Sequence, residues 1–102
     1  MLEAKVNLKD YVWVVVEVRG GSESFLGLAD ADGQTFVPVT AAKEQAYQLL
    51  AKLPAAGDGA QRQVEAIHRQ RIAEEAARQG FLVYLVDETG RVVEKMGAPE
   101  TH

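Results

Sequence analysis

Apolar residues alternate with polar ones from the start of the chain: Leu2, Ala4, Val6 and Leu8, then Val12, Val14, Val16 and Val18, with Asp10 as the one polar residue among the even positions. A repeat of two sends successive side chains to opposite faces, which is the signature of a strand. Asp10 divides the run into a short amphipathic segment over residues 2–8 and a strand rich in β-branched residues from Tyr11 to Val18. A tight hairpin at Lys9-Asp10 fits less well. It lacks the Asn-Gly or Asp-Gly pair such a loop favours, and it would swap the parity that the sequence keeps on both sides.

Gly20-Gly21-Ser22 predicts a turn and Ser24 to Ala29 a second strand; Asp30-Ala31-Asp32-Gly33 predicts another turn and Thr35 to Val39 a third strand. Pro38 has no amide hydrogen to give a ladder, which points to a sheet edge or to the end of the strand. Thr40 is placed to cap a helix whose apolar face is Ala42, Ala46, Leu49, Leu50 and Leu53, ended by Pro54. After a link over Ala55 to Gly59, Asp58 and Gln61 have the spacing of a capping box, predicting a second helix over 58–79 with Gly80 as its C-cap. The stripe of that helix is broken, because Ala60, Val64 and Ile67 do not line up with Ile72, Ala73, Ala76 and Ala77. Either it bends near Arg69 or its halves pack on different surfaces. Phe81 to Val86, the turn Asp87-Glu88-Thr89-Gly90, and Arg91 to Met96 predict a closing hairpin, with residues 97–102 as a frayed tail. The Asp-x-x-Gly element occurs in both hairpins, between Phe25 and Val37 and between Leu82 and Lys95, as a type I turn followed by a left-handed glycine requires.

The elements add up to one α+β domain spanning residues 1–102: an antiparallel sheet of about five strands, in the order β-β-β-α-α-β-β, with two helices packed on one face. Val12, Val14, Val16 and Val18 would floor that packed face. Tyr11, Trp13 and Val15 then lie on the other, with Tyr84 of a neighbouring strand beside them. An outward sheet face is normally polar, so these rings call for a cover: residues 2–8, a second subunit, or a ligand.

Composition narrows the chemistry more than it identifies it. The chain has no cysteine, which removes disulfides, zinc-thiolate sites, iron-sulfur clusters and thiol nucleophiles together. Fifteen acidic residues against eleven Lys and Arg leave a net charge of -4, so no bulk positive field draws nucleic acid or an anionic membrane. The longest apolar run, Val12 to Val16, is far short of the ~20 residues of a membrane span, and Met1 to Lys9 lacks the pattern of a secretory leader. A cytoplasmic location is the expectation.

Individual motifs read mostly as structure. His68 is the histidine outside the tail and a pocket candidate between sheet and helices, but no nucleophile or orienting carboxylate accompanies it in the sequence. Glu65-Ala66-Ile67-His68 matches half of a di-iron motif that would need two such helices and two more glutamate-bearing ones. Arg62, Arg69, Arg71 and Arg78 could form a phosphate-binding strip on helix 58–79, yet Glu65, Glu75 and Glu74 each stand four residues from one of the last three. Gly20-Gly21-Ser22 precedes a strand and so offers no helix N-terminus to a phosphate. Asp30 and Asp32 resemble the start of a calcium loop, but Ala41 stands where position twelve needs a glutamate. Asp87, Glu88 and Glu94 read as turn and solvent-face carboxylates.

No metal, cofactor or catalytic residue is therefore expected. Tyr11, Trp13, Val15 and Tyr84 are the interface or ligand candidates, since large rigid rings dominate interfaces and line pockets. The sequence favours a non-enzymatic interaction module that self-associates as a homodimer through the outer sheet face or an edge strand, its partner protein otherwise unknown. A small-molecule-binding domain or small enzyme with a pocket at His68 comes next, and weak nucleic-acid binding through helix 58–79 last.

Overall fold

The computed structural model describes residues 10–54 and 59–96. The expected amphipathic segment over 2–8, the Asp58 cap and the frayed tail over 97–102 lie outside these residues. Seven strands and two helices follow one another as β1 (Tyr11–Arg19), β2 (Ser22–Phe25), β3 (Leu28–Ala29), β4 (Thr35–Thr40), α1 (Lys43–Lys52), β5 (Gln61–His68), α2 (Arg69–Arg78), β6 (Leu82–Val86) and β7 (Val92–Met96). The α+β class, with one sheet and two helices, is as the sequence predicts.

Four particulars differ from the expected arrangement. First, the helix expected over 58–79 is two elements, with a strand from Gln61 to His68 running directly into a helix from Arg69 to Arg78. Second, the expected strand Ser24 to Ala29 is interrupted at Leu26-Gly27, where the chain changes partners from β1 to β4. Third, the sheet is mixed: β4 and β6 pair in parallel and the other pairs are antiparallel. Fourth, the helices lie on opposite faces. Ile72 and Ala76 of α2 pack with Val12, Val14, Val16, Val37, Val39 and Val83, while Leu49 of α1 packs with Phe36, Tyr84 and Val86.

Topology explains the last point. Both β4 and β5 run antiparallel to β1, and β6 is parallel to β4, so β4, β5 and β6 share a direction. α1 carries the chain one way across β1 to reach β5, and α2 carries it back to β6. Crossovers of one hand that travel in opposite directions must use opposite faces.

Pro38 does not mark an edge, because β4 sits between β1 and β6. It is tolerated by a gap in the ladder. β1 pairs with β4 only at Val39 and Thr40, and β3 only at Thr35 and Phe36. The Val15 carbonyl, next in register toward Pro38, accepts the Leu26 amide at 2.9 Å instead. Thr40 does not cap α1 either; it ends β4, and its hydroxyl donates to the Ala42 carbonyl at 2.8 Å. The cap is Ala42, whose amide donates to the Gln45 side chain at 3.2 Å.

The two Asp-x-x-Gly turns have the same construction. One oxygen of Asp30 accepts the amides of Asp32 and Gln34, and one oxygen of Asp87 accepts those of Thr89 and Arg91. Gly33 and Gly90 follow with φ of 82° and 89°, values an L side chain rarely adopts. Hydrogen bonds to the charged form hold both carboxyls below the ordinary aspartate pKa of 3.8, led by the Gln34 amide at Asp30 and the Thr89 hydroxyl at Asp87. A lowered native pKa means that the unfolded chain takes up the proton first, so this stability is whole above pH 3.8 and is lost as pH falls through the native values. Thermal melts should accordingly hold steady down to about pH 4.5 and fall below it. The double variant Asp30→Asn with Asp87→Asn should be less stable at pH 7 and show a shallower acid limb. An unchanged limb would place the acid-labile carboxylates elsewhere.

Candidate functional site

Two faces of β5 make a surface that the sequence alone did not show. Along one edge β5 pairs with β1 over its full length, from Tyr11 opposite His68 to Val18 opposite Gln61. β2 and β4 share the other edge of β1. The outer edge of β5 pairs with no strand among the described residues, leaving a run of main-chain donors and acceptors eight residues long. Such an edge invites another strand unless charge, proline or a bulge blunts it. β5 has no proline, and its charged residues are Arg62 and Glu65. Arg62 is engaged on the α1 side, donating to Glu17 at 3.0 Å and to the Pro54 carbonyl at 2.6 Å. Gln61, Gln63, Glu65 and Ala66 are exposed.

Beside this edge, on the α2 side, runs an open groove of about 640 Å³. Its apolar floor is Val16, Phe25 and Ile67, and Arg71, Glu75 and Gln79 form its helical wall. Those three residues recur every fourth position, which puts them on one flank of α2 and its C-cap, Gln79. Glu23 of β2 and Glu65 of β5 also line it. The groove exists because α2 packs against β5 and β6 and leaves the Val16–Phe25 corner of the sheet partly uncovered.

The sequence candidates separate. Tyr84 lies on the face of Trp13 and Val15, as expected, but it is buried in the α1-side core, its ring stacked on Phe36 at 4.6 Å. Its hydroxyl donates to Asp30 at 3.1 Å, and burial, reinforced by that carboxylate, raises its pKa. Val15 is fully buried, and Trp13 is half-buried with the Lys43 ammonium 5.6 Å from its ring centre. α1 covers part of this face, with Leu49 packed against Tyr84 and Lys43 over Trp13. Tyr11 alone of the four remains exposed, at 38%, with its ring edge-on to His68 at 5.3 Å. Both line the groove.

His68 ends β5 and caps α2, its Nδ1 accepting the Gln70 amide at 3.2 Å. That fixes a ring nitrogen as an acceptor and commits the side chain to the strand-to-helix junction. The four arginines do not form one strip. Arg62 stands on a strand against Glu17, Arg69 reaches Glu94 at 3.4 Å, and Arg78 reaches Glu75 at 3.0 Å. Among the described residues there is no cluster of three or more potential metal ligands and no helix long and apolar enough to cross a membrane. The chain matches no protein-family model, no curated protein and no solved structure.

Proposed function

We propose that this chain is a non-enzymatic, cytoplasmic interaction module that forms a homodimer by pairing the outer edges of two β5 strands. The observation that carries this is an eight-residue strand with one edge fully paired and the other open among the described residues. Adding a strand to such an edge supplies main-chain hydrogen bonds without needing a deep pocket.

One register of β5 against its own copy brings complementary side chains together. For a continuous sheet, the two-fold axis must place residues of the same face opposite one another. Centring it on Val64 sets Val64 against Val64, Arg62 against Ala66 and Gln63 against Glu65. The Gln63 amide can then donate to the carboxylate across the seam, twice by symmetry. Centring on Glu65 instead would set like charges face to face, which is unfavourable.

The test is light scattering coupled to size exclusion on the wild type and two variants at the exposed Gln63. The wild type should be a dimer at micromolar concentration. Gln63→Glu should weaken it about tenfold by facing two carboxylates across each contact, and Gln63→Lys should keep or tighten it. A monomeric wild type overturns the proposal. Equal effects of the two variants would overturn the Val64-centred register.

A further inference from the structure

We infer that the groove on the α2 side of the sheet is a binding site for a linear polyamine. Strand register fixes what its floor presents. Phe25 and Glu23 of β2 stand opposite Val16 and Val18 of β1, and Glu65 of β5 stands opposite Val14, so all three share the face on which α2 packs. β2 and β5 flank β1 on opposite edges, and Val16 lies in the row between those of Glu23 and Glu65. At about 3.3 Å per residue along a strand and about 4.8 Å between strands, the Cα atoms of Glu23 and Glu65 are roughly 16 Å apart. The floor at Val16 and Phe25 therefore has a carboxylate at each of two opposite corners, and Glu75 of α2 adds a third from the helical wall.

This pattern selects a ligand that is apolar between widely spaced positive charges. Glu23 and Glu65 make no ion pair among the described residues, while Glu75 is bridged to Arg78 at 3.0 Å. Alkyl ammonium groups with the pKa of a lysine, about 10.4, stay charged at pH 7, and the methylenes between them cover Val16 and Phe25. A tetraamine of the spermine type extends to about 15 Å at the rise per bond of an extended chain, so its two ends reach both corners at once. A monoamine or a single metal cation reaches one. An anionic ligand meets three carboxylates against one guanidinium, that of Arg71. The net charge of -4 adds a field of the right sign for a polycation. The inference does not rest on dimerisation through β5. In that dimer the Glu65 carboxylate also meets Gln63 across the seam, with lone pairs for both, so Glu23, on the far edge of β1, reports on the groove alone.

Isothermal titration calorimetry of the full chain with spermine, at pH 7 in about 0.15 M salt, tests the site. The wild type should bind with a dissociation constant below about 1 mM. Glu23→Gln should weaken binding about threefold and Glu23→Gln with Glu75→Gln about tenfold, whereas Arg71→Gln should tighten it about threefold. Glu44→Gln removes the same charge from α1, on the other face of the sheet, and should change nothing, because a charge several Debye lengths of about 8 Å away is screened. Absence of binding below about 1 mM, or an equal loss at Glu23 and Glu44, overturns the site. Displacement of spermine by an equal concentration of magnesium chloride overturns it too, reducing the attraction to a diffuse field. Light scattering on the same samples keeps the two proposals apart: a monomer that binds spermine retains this one and loses the β5 pairing, and a dimer that binds none does the reverse.

Discussion

Ile72→Ala should destabilise the protein by about 2–5 kcal/mol, a large share of the ~5–15 kcal/mol that holds a domain of this kind folded. Ile72 has no exposed surface and lies in the cluster that joins α2 to Val12, Val14, Val37, Val39 and Val83. Truncation removes three methyl or methylene groups where strands and helix meet, and rigid β-branched neighbours limit collapse into the space. Ile67→Ala is the informative contrast. Ile67 is only half-buried and belongs to the groove floor, so its truncation should cost less than half as much. Urea melts of both variants give the comparison. A loss at Ile72 below about 1 kcal/mol would mean that α2 does not seat on the valine face.

That comparison bears on the one large element the sequence misled about. Residues 58–79 carry a helical frame at both ends, with Asp58 and Gln61 as a cap and Gly80 as a stop. Ala66 and the Arg and Gln residues between them also favour a helix. What they conceal is that Gln61, Gln63, Glu65 and Ile67 share the face of Val18, Val16, Val14 and Val12, on which α2 packs, while Arg62, Val64 and Ala66 share the opposite face. An edge strand next to an open groove buries little on either face, so its alternation is weak and propensity dominates the pattern. The break in the apolar stripe near Arg69 was the surviving trace of the junction, which falls between His68 and Arg69. His68 could be read as a helix-capping residue only after that boundary was known.

By contrast, β1 was legible because both of its faces are covered, and its valines and rings announce this in two registers. The Asp30 and Asp87 turns were legible because few sequences other than Asp-x-x-Gly satisfy the same backbone. Helix placement was not, since a sequence order of β-β-β-α-α-β-β hides the crossover that forces α1 and α2 apart. With Val15 and Tyr84 buried and Lys43 of α1 over Trp13, this face is no longer an open aromatic surface. The candidate site moved to an edge that carries no sequence signature at all, because unpaired main-chain groups are the same for every residue but proline.

Phe36→Ala should produce a second large loss, about 3–5 kcal/mol, on the opposite face of the sheet. Phe36 is buried in the α1-side core, stacked on Tyr84 at 4.6 Å with an interplanar angle of 26°, and it neighbours Leu28, Leu49 and Val86. Deleting its ring opens a cavity and strands the Tyr84 ring, which Lys95 flanks at 5.5 Å. Tyr84→Phe separates the ring from the hydroxyl. It keeps the stack, removes only the hydrogen bond to Asp30, and so should cost much less. It should also let the Asp30 carboxyl rise toward its ordinary pKa, since that hydrogen bond favours the charged form, and so reduce part of the stability lost below pH 3.8. If dimerisation runs through β5, neither change should alter the dissociation constant of the folded protein, because both residues lie on β4 and β6, on the far side of β1 from that edge. Phe36→Ala that dissociated the dimer while leaving its stability intact would move the interface to the α1 face and return Tyr84 to the list of contact residues.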